Sequence, residues 1–145
     1  MSVEKVRQYL TLHSMQDRLR EFPVSSATVA LAAQALGVEP GRIAKSISLH
    51  GGDGCNIVVT AGDAKVDNAK YKAEFGIKAK MLKPGEVEPM TGYRVGGVCP
   101  FDNPPCARVY CDVSLRRFGT VYPAGGSDSS CVTLSCDELF RLSES

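Results

Sequence analysis

The sequence predicts an α+β fold built on one mixed, mostly antiparallel sheet, and two observations carry that expectation. Apolar runs at 45–49 and 56–61 are joined by Gly51-Gly52-Asp53-Gly54, a strong hairpin signal. Elsewhere, helical and strand patterns alternate through short connections, without the long crossovers of a doubly wound parallel sheet. The fingerprints of dinucleotide and nucleoside-triphosphate folds are missing as well. No G-x-G-x-x-G follows a strand, and no G-K-[ST] occurs.

Each element has a local reason. Residues 3–12 read as a helix with Val6, Tyr9 and Leu10 on one side, and 16–22 as a strand ended by Pro23. Ser25 or Ser26 can cap the next helix, whose Val29, Ala30, Ala33 and Leu36 keep a helical period until Gly37 stops it. Pro40 opens a single turn through Arg42. After the hairpin, Gly62-Asp63 ends the second strand, Asp67 caps a helix over 68–75, and Gly76 terminates it. A short strand is expected at 77–81. Pro84 then begins a helix ending near Met90, because a missing amide costs nothing in the first turn. Asp102-Asn103-Pro104-Pro105 forms a turn, 107–112 a strand, 114–117 a turn and 120–123 a strand. Residues 125–130 form a polar loop and 131–134 the last strand. Ser135 caps a closing helix, with Glu138 at the capping-box position.

Composition bounds the function. With 145 residues, 43% hydrophobic and 23% charged, the chain can bury its own core and reads as one domain over 1–145, with 1–15 as an N-terminal helical extension. No apolar run is long enough to cross a membrane. Met1-Ser-Val-Glu-Lys has no apolar core before a small-residue cleavage site, so a cytoplasmic protein is expected. Seventeen basic and 16 acidic residues leave a net charge of +1, which argues against coating nucleic acid by charge alone but not against gripping one RNA end. Lys65, Lys70, Lys72, Lys78, Lys80 and Lys83 fall within 19 positions. They form either a solvated face or a shallow phosphate-contacting surface.

Six cysteines (Cys55, Cys99, Cys106, Cys111, Cys131 and Cys136) contain no C-x-x-C pair, and only His13 and His50 accompany them. Their spacing matches no zinc pattern, and reduced, core-filling thiols are the expectation. No metal and no cofactor is expected. No histidine stands where a catalytic triad would need it, and no pair of acids is forced to face a cleft. What remains is Lys45 at the mouth of an apolar strand and the loop Gly96-Gly97-Val98-Cys99-Pro100, whose amides a ligand can approach closely. Lysine plus backbone donors suits oxyanion stabilisation. Read by themselves, Lys45 is by default a solvent-facing strand-entry lysine, Gly96-Gly97 a tight turn or bulge, Thr28 a first-turn residue and 125–130 a flexible loop.

Five segments, in order, narrow these readings. They are Ser26-x-Thr28 before an alanine-rich helix with Leu36-Gly37-Val38; Ile43-Ala44-Lys45-Ser46; Val58-Val59-Thr60-Ala61-Gly62-Asp63-x-Lys65-Val66-Asp67; Thr91-Gly92-Tyr93-x-Val95-Gly96-Gly97-Val98-Cys99-Pro100-Phe101; and Asp112-x-Ser114-Leu115 with the later Gly125-Gly126. From about Glu21 onward the chain resembles the YbaK-type, or prolyl-tRNA synthetase-associated, aminoacyl-tRNA editing domains. The resemblance implies a barrel-like sheet flanked by helices, no metal, and hydrolysis of the ester joining a wrong amino acid to a tRNA 3′ end. It implies a stand-alone enzyme acting in trans on a small amino acid, with tRNA-Pro as one candidate carrier. Water or the substrate's own side chain would attack. Lys45, Gly96, Gly97 and Pro100 would form the catalytic set, and Thr28, Val98, Cys99, Gly125, Ser127 and Ser129 would contact substrate. The expected partner is the acceptor end of an aminoacyl-tRNA, with a synthetase as a second candidate and no membrane. A non-catalytic adaptor of the same fold is one rival, and a thiol enzyme using Cys99 another.

Overall fold

The computed structural model describes residues 2–143; Met1 and the last two positions of the expected 1–145 unit lie outside the described residues. The centre is the hairpin of β2 (Ile43–His50) and β3 (Cys55–Ala61), antiparallel from Ala44 opposite Ala61 to His50 opposite Cys55. β3 also pairs in parallel with β4 (Ala107–Cys111). On the far side, β5 (Thr120–Pro123) lies parallel to the first two residues of β2, and β7 (Leu134–Ser135) is antiparallel to β5. The order is β4-β3-β2-β5-β7.

A second, antiparallel ribbon joins β1 (Leu19–Glu21) to β6 (Ser130–Val132). A bridge between Ala124 and Cys131 ties the ribbon to the end of β5, and the whole curls into a half-barrel. Among the described residues five helices flank it: α1 (Ser2–Leu12), α2 (Val29–Leu36), α3 (Asn68–Phe75), α4 (Pro84–Thr91) and α5 (Cys136–Leu142). The expected α+β class with a mixed sheet is the one observed.

The core explains the helices' placement. Ile57 and Val59 of β3 pack with Leu115, Val121, Leu134 and Leu139, all fully buried. Each such side chain contributes roughly 1.5–3 kcal/mol on leaving water. α1, expected as an extension, sends Val6 and Leu10 into this same core, and Tyr9 Oη donates to the Leu142 carbonyl at 2.5 Å. α3 is clamped to the hairpin end: Asn56 Nδ2 donates to Tyr71 Oη (2.9 Å), which donates to the His50 carbonyl (3.3 Å).

Four local expectations change. The cap of α2 is Thr28, whose Oγ1 accepts from the Leu31 amide at 3.1 Å, and not Ser25 or Ser26. Both serines are held by the Asp128 carbonyl, which delays the helix. Residues 77–81 form no strand beyond a single bridge from Met81 to Leu49, with the His50 amide donating to the Lys80 carbonyl and the Leu82 amide to the Ser48 carbonyl. The run 16–22 begins as a 3-10 turn (Gln16–Arg18) and is extended only over β1. The expected strand at 131–134 is split between two sheets: β6 pairs with β1 and β7 with β5, and between them the Thr133 amide donates to the Arg18 carbonyl.

Candidate functional site

The site begins as a gap in the sheet. β3 covers one edge of β2 along its length. On the other edge, β5 pairs only with Ile43 and Ala44. Further along, the His50 amide donates to the Lys80 carbonyl (2.8 Å) and the Leu82 amide to the Ser48 carbonyl (3.2 Å). Backbone groups alternate in direction along a strand, so the N–H and C=O of Ser46, like those of Ser48 and His50, face that edge. Between the two covers nothing pairs with it among the described residues. The gap opens onto a cleft of about 440 Å³ lined by Lys45, Ser46 and Ile47 on the strand side.

Three further elements wall the cleft. The start of α2 contributes Thr28, Val29 and Ala32; segment 81–87 contributes Met81, Leu82 and Val87; and the glycine loop contributes Val95, Gly96 and Val98. The lining is mostly apolar, and Met81 (67% exposed) and Val95 (65%) stand at its rim as large apolar side chains in water. Lys45 lies immediately after the last residue paired to β5. Its ammonium makes no ion pair or hydrogen bond among the described residues. The nearby Asp63 is engaged in a two-pronged pair with Arg117, which holds its carboxyl below the ordinary carboxylate range, with a smaller contribution from the field of Lys45.

The glycine loop is held from behind. Asn103 Nδ2 donates to the carbonyls of Thr91 (2.9 Å) and Cys99 (3.0 Å), and Tyr93 Oη donates to the Phe101 carbonyl (2.5 Å). The Gly97 amide turns back to the Arg94 carbonyl at 2.9 Å, whereas those of Gly96 and Val98 meet no acceptor among the described residues. Gly96 takes a φ of +90°, and a Cβ on Gly97 would stand 2.9 Å from the backbone of Gly126 and Ser127. The loop therefore requires glycine at both positions, for conformation at one and for close approach at the other.

The structure thus brings Lys45, Gly96, Val98 and Thr28 together on one cleft and places the other expected site residues elsewhere. Gly97 and Ser127 border a second cleft of about 520 Å³ behind the loop, with Lys5 and Arg94. Pro100 faces a third, beside Tyr9 and Asn103. Cys99 is fully buried beneath the loop, and burial pushes its thiol up to about 12. That removes it from the cleft wall and leaves a thiol unsuited to nucleophilic work. Gly125 packs on Leu19 and Ser130, and its amide donates to the Ser130 carbonyl. Ser129 gives its carbonyl to the Phe22 amide (2.8 Å), and Asp128 gives its own to the Ser26 amide (2.7 Å). Loop 125–130 braces the entry to α2 and does not line the Lys45 cleft.

Two residues that sequence reasoning passed over belong to the site. Ser46 Oγ is buried at the gap and has no hydrogen-bond partner among the described residues. Cys131 lines the cleft, its thiol raised to about 11 by burial. The serine beside Lys45 was visible in the sequence, but its placement depends on where β5 departs. Among the described residues, no group of His, Cys, Asp and Glu is arranged to hold a metal ion, and no helix is long and apolar enough to cross a membrane.

Several known proteins resemble this chain in sequence or share its fold. YwhH of Bacillus subtilis, an uncharacterized protein, is 49% identical over 144 residues, covering 99% of this chain and 92% of its own. EbsC of Enterococcus faecalis, a provisional Cys-tRNA(Pro)/Cys-tRNA(Cys) deacylase, is 27% identical over 112 residues, 76% of this chain and 68% of its own. Among solved structures, a provisional trans-editing enzyme for prolyl-tRNA synthetase superposes with a TM-score of 0.90 at 29% identity, covering 99% of this chain and 92% of that one. The hypothetical protein APE2540 gives 0.87 at 30% identity, with 97% and 95% covered. The aminoacyl-tRNA editing domain matches residues 24–142, and the chain belongs to that family.

Proposed function

We propose that this protein is an aminoacyl-tRNA deacylase acting in trans, which hydrolyses the ester of a small amino acid attached to the wrong tRNA, with tRNA-Pro as a candidate carrier. The observation that carries the reading is an unpaired lysine at the mouth of an apolar cleft, facing a loop with two unengaged amides. A volume of about 440 Å³ suits a terminal aminoacyl-nucleoside, since small-ligand pockets run from roughly 300 to 1,000 Å³. The provisional names of EbsC and of the prolyl-tRNA synthetase trans-editing structure point to the same chemistry.

The chemistry asks little of the protein. An aminoacyl ester is already activated, so orientation and charge stabilisation suffice. Water adds to the ester carbonyl carbon, and the carbonyl oxygen takes negative charge beside the Lys45 ammonium and the Gly96 and Val98 amides. Collapse of this intermediate breaks the bond to the ribose oxygen, which leaves with the proton that water gave up. No side chain need act as nucleophile, in keeping with a lining whose thiol, Cys131, is held protonated. The small side chains of Ala32 and Cys131 in the lining favour a short amino-acid side chain. One methylene there is worth only about 1–3 kcal/mol, so discrimination among neighbours in size is modest.

The test is hydrolysis of 3′-labelled Ala-, Cys-, Ser- and Thr-tRNA, cognate and mischarged on tRNA-Pro, by wild type and Lys45→Ala. One ester should be released by the wild type and slowed about 10²–10³-fold in the variant, with its melting temperature unchanged. Flat traces for every ester while tRNA stays bound would replace this reading with the non-catalytic adaptor.

A further inference from the structure

We infer that the lysine face formed by α3 and segment 78–83 is the docking surface for the sugar–phosphate backbone of the substrate's acceptor stem; this rests on the deacylase reading above. Arg7, Arg18, Arg42, Arg94, Arg116 and Arg117 each stand in an ion pair with a carboxylate. The lysines of 65–83 differ. Lys65, Lys70, Lys72, Lys78, Lys80 and Lys83 are exposed, and none of their ammonium groups has a hydrogen bond or ion pair among the described residues. Only Asp67 and Glu74 oppose them in that stretch, and Asp67 accepts from the Lys70 amide as a helix cap. A cluster of unneutralised charge is where counterions gather and where phosphates displace them.

The face is joined rigidly to the cleft. Tyr71 fastens α3 to the hairpin end through Asn56 and the His50 carbonyl. The Lys80 carbonyl and the Leu82 amide are bonded to the end of β2. Lys80 and Lys83 therefore flank Met81, Leu82 and Pro84, which line the cleft, while Lys72 and Lys78 border a shallow groove beyond with no acidic residue in it. Behind the glycine loop, Lys5 and Arg94 stand in the second cleft, where Glu88 and Asp128 line the same depression and Arg94 is already paired with Glu88 at 3.7 Å. Charges cancel on that side and accumulate on the lysine side. A polyanion whose 3′ end sits beside Lys45 gains more by leaving across α3.

The experiment compares Lys70→Gln/Lys72→Gln/Lys78→Gln with the control Lys5→Gln/Arg94→Gln, none of which lines the Lys45 cleft. Two substrates are used, the full aminoacyl-tRNA and the corresponding aminoacyl-adenosine ester. The triple variant should lose about tenfold in kcat/KM on the full tRNA at low salt, and its log–log salt slope should fall by about two to three. Its rate on the small ester should stay within a factor of two. Equal losses in the control, or an unchanged salt slope in the triple variant, overturn the assignment. Should no ester be cleaved at all, the deacylase reading fails by itself. Binding of uncharged tRNA to the same variants then decides the docking face: weakened binding in the triple variant alone supports it, and unchanged binding refutes it.

Discussion

The close approach of two loops makes Gly97 the sharpest place to test the reading of the site. A methyl group there would stand 2.9 Å from Gly126 C, Gly126 O and Ser127 Cα, where ordinary contact begins at 3.4 Å. All three neighbours are backbone, so no side-chain rotation relieves Gly97→Ala, and the loops must part by about half an ångström. Overpacking of this kind costs about 1–3 kcal/mol, which for a chain of this size lowers the melting temperature by roughly 3–10 °C. The displaced loop 125–130 also carries the carbonyls that receive the Phe22 and Ser26 amides. Hydrogen exchange at those two amides should therefore accelerate together. Gly96 and Val98 move with Gly97, so deacylation should fall at least tenfold, since about 1 Å of misplacement can cost 10²-fold. Gly119→Ala, with nothing within 4 Å of the added carbon, is the control and should be neutral or slightly stabilising. A Gly97→Ala protein with wild-type melting and unchanged exchange at Phe22 and Ser26 would refute the close-packing argument.

Further outcomes follow from single contacts. Ser46→Ala should retain the fold, because Ser46 Oγ has no partner to lose, yet reduce kcat/KM severalfold; Ser46→Val, which fills the gap, should abolish turnover, and unchanged kinetics in both would remove Ser46 from the site. Arg18 and the Ser135 amide hold the Glu138 carboxyl down to about 2. A depressed carboxylate stabilises the fold above its unfolded value near 4.3 and ceases to do so as pH falls towards 2. Glu138→Gln should accordingly melt lower than wild type at pH 7, and the difference should close between about pH 4.5 and 2. Alkylation of the native protein, read by mass spectrometry, should label exposed Cys106 long before buried Cys99; early loss of activity tracking Cys99 would revive the thiol enzyme. Arg117→Ala frees Asp63 to capture Lys45 and should cut activity by about fivefold, a Coulomb term of roughly 1 kcal/mol. Asp63→Asn in the same background should restore it.

What the sequence disclosed was whatever depends on neighbours in the chain. The hairpin, the helix 68–75 with its Asp67 cap, and the Ser135–Glu138 capping box all follow from local chemistry and stand where expected. The cleft does not, because it is defined by where β5 leaves β2, a meeting of Ala44 with Pro123 across 79 positions that no local pattern encodes. The same holds for Cys99. In the sequence it sits inside a glycine loop, where a ligand could reach it. In the fold, Asn103 and Tyr93 draw the loop inward and turn the thiol into the core. Thr28 illustrates the reverse: its role as a cap was masked by two serines nearby, which the Asp128 carbonyl engages instead.

Lys45 shows how the fold keeps a charge available. Gly62 lies so close to the Pro40 carbonyl that an added Cβ would be 2.1 Å from it, which fixes the turn before β2 against the end of β3. An added Cβ on Gly41 would meet the Phe118 ring at 2.8 Å and the Asp63 carboxylate at 3.1 Å, and the Arg42 and Arg117 guanidinium groups both lie over the Phe118 ring. The base of the strand is thereby held by backbone contact and stacked cations, with no demand on the Lys45 side chain. Asp63, the acid whose field reaches that lysine, is already committed to Arg117. An ammonium is most useful to an incoming carbonyl or phosphate when no resident carboxylate must first be displaced, because breaking such a pair would subtract from the stabilisation offered to the transition state. In the proposed mechanism the arginine–aspartate pair would act from outside the cleft, by withholding a competitor from Lys45, the one lysine that lines it among the described residues.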